Sequence, residues 1–217
     1  MSRSEQYWNS AGKQIYQPIS RGTKNKYFVK PQEEYRCKDN KICTVVKTTT
    51  QKIDLNCVRP HRAGVIIYTY YNGSIYFGLG LDSRTHDLTD FGGQINYHID
   101  KNVVNGSIRE FEEETLNIFE KITFEDIRSC PVIYDKYNLI IFVHLNIDPD
   151  IVSKSFNKKY RSIMETNSTK NNIPEPEVCG ITWLSWEEFQ HSIKTKGIFY
   201  SRVRKFLSLA GDFSYLL

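Results

Sequence analysis

Apolar and β-branched residues gather in short runs along the middle of the chain, and the first two runs form the clearest pair. AGVIIYTYY (63–71) and SIYFGLGL (74–81) flank Asn72-Gly73, and Asn-Gly between two such runs predicts a tight β-hairpin. A polar loop, THDLTD (85–90), and an FGG turn (91–93) follow. The period then changes. Ile108, Phe111 and Thr115 recur at i, i+3 and i+7, which predicts a helix from about Ser107 to Asn117, preceded by Asn105-Gly106 and with Ser107 as N-cap. Cys130–Tyr134 and Leu139–Ile147 predict a further hairpin. The polar stretch Ser153–Asn172 reads as a loop or short helix, GITWLSWEEF (180–189) as a strand entering a helix, and Ile198–Leu209 as a C-terminal helix. Strands before and after one central helix predict an α/β sandwich.

Charge divides the chain in two. Residues 1–60 carry 12 Lys/Arg against 5 Asp/Glu, whereas residues 61–217 carry 17 against 20. The expected organisation is therefore a basic N-terminal extension, 1–58, and a folded domain, 59–217. Within the basic part, SRGTKNKYFVK (20–30) and KTTTQK (47–52) could meet phosphates, with Tyr16, Tyr27, Phe28 and Tyr35 available to stack on bases. A positively charged surface that serves solubility is the plainer alternative. The five cysteines are widely spaced and lack the CxxC pairs of a zinc site, so reduced packing thiols are expected. No run approaches the ~20 apolar residues of a membrane span and the start lacks an apolar leader, so an intracellular, cytoplasmic protein with no membrane partner is expected.

The densest chemistry lies in REFEEETLNIF (109–119), which places four glutamates in six residues beside one arginine. On a helix Glu110, Glu113 and Glu114 fall at i, i+3 and i+4 and share one face, while Glu112 points elsewhere. Carboxylates facing one way repel unless a cation lies among them, and Mg²⁺ or Mn²⁺ accepts such ligands. A solvated glutamate-rich helix face is the alternative reading.

A Gly-Gly after a strand, a loop, and then Arg-Glu-apolar-x-Glu-Glu resembles the Nudix box, Gx5Ex7REUxEExGU, of the Nudix hydrolase superfamily. The REUxEE core is complete at 109–114, and EPEVCGITWLSWEEF is similar to the strand and helix that close such domains. The chain departs from the pattern in four places. Gly93 to Arg109 spans 16 positions instead of 14; the isolated glutamate falls on Ile99, with Asp100 the nearest acid; Leu116 replaces the box glycine; and Leu88-Thr89-Asp90-Phe91 stands before the glycines.

The resemblance implies an α/β/α sandwich with a mixed sheet and a loop-helix-loop catalytic motif, and a hydrolase acting on a pyrophosphate bond with Mg²⁺ or Mn²⁺. It implies Glu113 and Glu114 as principal metal ligands, Glu110 as a third ligand or a water-orienting group, and Arg109 as their support. Glu177 is the candidate general base in the late loop, and Glu175 beside it is a candidate substrate-binding residue. Gly92 and Gly93 would let backbone approach phosphate, and Phe91 would join the substrate-binding wall.

For a substrate, the basic and aromatic arm suits capped RNA, and REFEEET is similar to the box of decapping enzymes of large DNA viruses, for which host cytoplasm would be the location. Free nucleotides and inositol pyrophosphates are the other substrates the family implies, and homodimers are common in it. Two other classes stay open: a noncatalytic module that reads a cap or nucleotide, and an interaction domain with a merely solvated helix.

Overall fold

The computed structural model describes residues 42–169 and 175–217, together with the backbone of three short segments, β1 (Tyr7–Trp8), β2 (Gln14–Ile15) and β3 (Glu33–Arg36). The elements that follow are β4 (Ile42–Thr49), β5 (Arg62–Tyr71), β6 (Ser74–Asp82), β7 (Leu88–Thr89), β8 (Phe91–Gln94) and α1 (Val103–Glu114). Then come β9 (Pro131–Tyr134), β10 (Asn138–His144), α2 (Pro149–Thr169), β11 (Val178–Ser185), α3 (Trp186–Lys194) and α4 (Ser201–Ala210). The main sheet runs β11-β6-β5-β10-β9-β4-β3, with β7 added to β6 and β8 to β5. It is mixed, because β10 runs parallel to β5 while the other pairs are antiparallel.

Strand β5 is buried on both faces, and the alternation of its side chains builds two cores. Ala63, Val65 and Ile67 join Phe91, Val103, Val104, Phe111 and Phe156 on the side of α1 and α2. Ile66 and Tyr68 join Phe77, Phe142, Phe189, Phe206 and Leu207 on the side of α3 and α4. The result is the expected α/β/α sandwich. The hairpin also forms where expected, Asn72 and Gly73 taking φ of 50° and 77°, the left-handed values its primed turn requires.

One feature of the sheet creates the site. Along a single edge of β5, β8 pairs with Arg62–Val65 and β6 with Ile67–Tyr71. Two strands that share one edge must diverge, and the gap between them opens a cleft beside the first residues of β5.

Several expectations are corrected. Folded structure begins before residue 59: β4 pairs with β9, and Val45 and Val46 are fully buried, because β9 would otherwise leave an apolar edge open. Lys47 is therefore no phosphate contact; it is buried, and its Nζ donates to the Asp212 carbonyl at 2.9 Å. The arm 20–30 and Tyr16, Tyr27 and Phe28 lie outside the described residues. The FGG stretch is strand and not turn. Helix α1 begins at Val103 with Asn102 as its cap, accepting from the Asn105 N–H at 2.9 Å; Ser107 lies inside the helix and donates to the Val103 carbonyl. The stretch read as a loop or short helix lies, as far as Thr169, within the 21-residue α2. Val152, Phe156, Tyr160 and Ile163 supply its inward stripe, and Asp148 accepts the Asp150 and Ile151 N–H groups at its start. Among the described residues no helix is long and apolar enough to cross a membrane.

Candidate functional site

The cleft between β6 and β8 holds a cavity of about 220 Å³ lined by residues that include Arg62, Gly92, Gly93, Glu114, Glu177 and Tyr200. Its floor is a buried charge network. The Arg62 guanidinium closes on Asp90 through two bonds of 2.7 Å, and Nη2 donates a third, at 2.8 Å, to the Gly92 carbonyl. The N–H of the same residue, Gly92, donates to Glu114 Oε2 at 2.7 Å. One glycine is thus held from both sides, by a cation at its carbonyl and by a carboxylate at its amide. Burial pushes the Glu114 carboxyl well above the usual carboxylate range, Asp90 adds repulsion, and Arg62 with the Gly92 N–H opposes both.

The glutamate face of α1 stands over β8. Arg109 spreads across it, with Nε and Nη2 on the two Asp100 oxygens at 2.8 and 3.1 Å. Its Nη1 reaches Glu110 Oε1 at 2.8 Å and Glu113 Oε2 at 3.1 Å. Asp100 is buried, and it also accepts the Asn96 N–H at 2.8 Å. It therefore ties the loop 94–102 to the helix, whereas Ile99, at the position of the isolated glutamate, is 69% exposed. Glu110 is raised above its usual value by burial, with Arg109 lowering it and Glu113 and Glu177 repelling it. The helix closes with Leu116 and Asn117 both left-handed, φ 57° and 54°, so a non-glycine residue occupies the glycine conformation of the pattern.

The two glycines of β8 are required by close approach. A side chain on Gly92 would lie 2.4 Å from the Gly64 Cα and 2.5 Å from the Ala63 carbonyl, both fixed backbone. One on Gly93 would strike the Glu110 carboxylate. The first glycine lets β8 join β5, and the second makes room for Glu110.

The structure brings Glu110, Glu113, Glu114, Arg109, Gly92, Gly93 and Glu177 to one region. Glu177 enters from the opposite wall, its carbonyl accepting the Ser83 N–H at 2.8 Å while its charge reaches Glu110. Glu175 goes elsewhere; its charge acts on the Tyr160 hydroxyl of α2, whose pKa is raised first by burial and then by Glu175. Phe91 is corrected outright. Its ring is fully buried edge-to-face on Phe111, so it is core and no part of a substrate wall. Sequence reasoning missed Arg62, Tyr200 and Arg202, which line the cavity. A charged residue opening an otherwise apolar strand was the one available signal for Arg62, since Lys and Arg are rarely buried without a partner.

All the acids of the cluster are carboxylates, the hard oxygen donors that Mg²⁺ and Mn²⁺ prefer, and their mutual repulsion favours a cation among them. Among the described residues no three His, Cys, Asp or Glu side chains stand at coordination distance of one another; Arg109 neutralises Glu110 and Glu113 in this arrangement.

No protein-family model matches the chain, and no curated protein matches it either. Among solved structures, an Ap4A hydrolase of C. elegans is 20% identical over 72% of this chain and 97% of its own, with a TM-score of 0.39. A binary complex of a C. elegans Ap4A hydrolase is 21% identical over 70% and 98%, with a TM-score of 0.35. The NUDIX domain of Shewanella oneidensis NrtR, complexed with ADP ribose, is 11% identical over 61% and 77%, also with a TM-score of 0.35.

Proposed function

We propose that this chain is a divalent-metal-dependent hydrolase of a pyrophosphate bond, of the Nudix superfamily, and that its substrate is the 5′ cap of an RNA. One observation carries the hydrolase reading: Glu114 and Glu177 line the same cavity from opposite walls, and Glu110 stands against Gly93 at its edge. The complete REUxEE core on α1 and its resemblance to the Nudix box support the same reading. Capped RNA is favoured over free nucleotides by the basic and aromatic arm.

A pyrophosphate is anionic and repels hydroxide, so its oxygens must be neutralised and a water delivered in line. Glu113 and Glu114 would hold Mg²⁺ or Mn²⁺, with Glu110 as a third ligand or a group that orients the water, and the bound ion would supply charge neutralisation and activation of water. Glu177, across the cavity, is the candidate base for the attacking water. Arg109 is a positioning residue that keeps Glu110 and Glu113 aligned through charge-assisted bonds. Gly92 and Gly93 let the backbone lie against phosphate.

Product analysis tests this reading. The purified chain with Mg²⁺ or Mn²⁺ is given capped RNA, a free cap dinucleotide, nucleoside diphosphate derivatives and an inositol pyrophosphate, with Glu114→Gln as control. Release of the cap nucleoside as its diphosphate, leaving RNA with a 5′ monophosphate and lost in the control, is the expected result. Cleavage of free nucleotides alone overturns the cap assignment, and binding without cleavage of anything makes the chain a reader instead of an enzyme.

A further inference from the structure

The cavity lies beside a surface assembled from three separate segments. His61 immediately precedes Arg62, Lys136 and Tyr137 form the turn between β9 and β10, and Tyr200 and Arg202 stand at the start of α4. The Arg62 N–H donates to the Tyr137 carbonyl at 3.1 Å, which ties the first two segments together, and the Tyr200 N–H donates to the Leu88 carbonyl at 2.8 Å, which fixes the third to β7. Above that frame the Tyr137 ring stacks on the His61 imidazole, with centroids 6.3 Å apart and planes 17° apart. Lys136 Nζ lies 5.4 Å from the Tyr137 ring centre.

The exposed charges of the three segments are the cations Lys136 and Arg202, with Asp82 and Glu177 bordering them in the cavity. The Asp135 carboxylate, the acid of the turn, is directed at its own backbone and accepts the Tyr137 and Asn138 N–H groups, both at 2.7 Å. Partial burial, then Lys136 and Arg202, lower the His61 pKa, so both cations act at the same place. Tyr137 and Tyr200 are 42% and 38% exposed, and Tyr200 and Arg202 also line the cavity. Cations beside partly exposed aromatic rings are what a single-stranded nucleic acid needs, since phosphates meet the first and bases stack on the second.

We propose that this surface carries the single-stranded RNA that follows the 5′ end held in the cavity, with phosphates against Lys136 and Arg202 and bases on Tyr137 and Tyr200. The inference rests on the cavity being the place where the pyrophosphate is held. It assigns the body of the RNA to residues of the folded domain.

The test uses the full chain and two readouts. Fluorescence anisotropy measures affinity for an uncapped single-stranded RNA of ten nucleotides across a salt series, and steady-state hydrolysis compares capped RNA with the free cap dinucleotide. Tyr137→Ala is expected to weaken RNA binding about tenfold, as loss of one stacking platform does, while Tyr137→Phe, which keeps the ring, restores it. Lys136→Ala is expected to lower the slope of log Kd against log salt by about 0.7, one phosphate contact on a single strand. In both variants KM for capped RNA rises, while turnover of the dinucleotide stays within about twofold. Unchanged RNA affinity in Tyr137→Ala and Lys136→Ala overturns the inference, as does an equal loss on RNA and dinucleotide. Because anisotropy needs no turnover, the two readings fail separately. Variant-sensitive RNA binding by a chain that cleaves no cap retracts the hydrolase and leaves this surface, whereas dinucleotide cleavage with variant-insensitive RNA binding does the reverse. If Tyr137→Ala does not fold, Tyr137→Phe and Lys136→Ala still decide.

Discussion

Two arginines hold carboxylates in the same site, in opposite surroundings. Arg62 is buried, 8% exposed, with its guanidinium closed on the wholly buried Asp90 and on the Gly92 carbonyl. Arg109 keeps 30% of its side chain in solvent and divides its bonds among Asp100, Glu110 and Glu113, the last of these 59% exposed. A buried guanidinium needs every partner it has, because an unpaired charge there costs several kcal/mol. A half-exposed one can give a partner up to water. The site therefore has a rigid half under Gly92 and an adjustable half over Glu110 and Glu113, and the adjustable half is where a cation would have to be accommodated.

Glu114→Gln separates the chemistry from the rigid frame most sharply. Turnover should fall by about 10³-fold or more, while the metal-free variant unfolds at or above the wild-type midpoint, because a negative charge beside Asp90 is gone. Unchanged turnover would remove Glu114 from the metal site. Arg62→Met comes next and acts on the fold: with Asp90 left buried and unpaired, a denaturant titration should show a loss of about 3–5 kcal/mol. A loss under about 1 kcal/mol would mean that the pair does not anchor the site. Arg109→Met should act on both halves, costing about 1–3 kcal/mol of stability because the buried Asp100 carboxylate loses its guanidinium, while slowing turnover about tenfold through displaced glutamates.

Asp100→Asn probes the link between the halves. Burial works against the Asp100 carboxylate, but bonds from Arg109 and then the Asn96 N–H hold it below its ordinary value of 3.8. A depressed carboxylate stabilises the fold above that value and loses its contribution as pH falls through the lower folded value. The variant should thus be about 1–2 kcal/mol less stable at neutral pH, and the gap should close on acidification below 3.8. A gap constant with pH would show that the bond is indifferent to charge. Smallest of all, deleting residues 1–32 should weaken RNA binding severalfold and flatten its salt dependence, with dinucleotide turnover unchanged. Equal loss for both ligands would make that segment part of the fold.

The adjustable half was legible in the sequence, because REFEEE places its carboxylates within one helix turn of one another and periodicity alone aligns them. Helical position also set Phe111 and Thr115 on the buried side. The rigid half was not legible. Arg62 and Asp90 lie 28 residues apart, and nothing in either neighbourhood marks one as the partner of the other. Helix α2 was obscured for a related reason: its inward stripe is sparse, and the polar residues between Val152, Phe156, Tyr160 and Ile163 outweigh it in any local reading.

Local chemistry by itself determined the hairpin at Asn72-Gly73, the helix that bears the glutamates, the capping box of Ser185 and Glu188 at the start of α3, and the sandwich that alternating apolar strands demand. Each of these depends on residues within a few positions of one another, where propensity and period operate. Only the tertiary structure decided that β6 and β8 share one edge of β5, that Gly92 is held between Arg62 and Glu114, that Glu177 faces Glu110 while Glu175 does not, and that Phe91 belongs to the core. These relations join residues tens of positions apart, and they follow from how the sheet divides and what its burial requires.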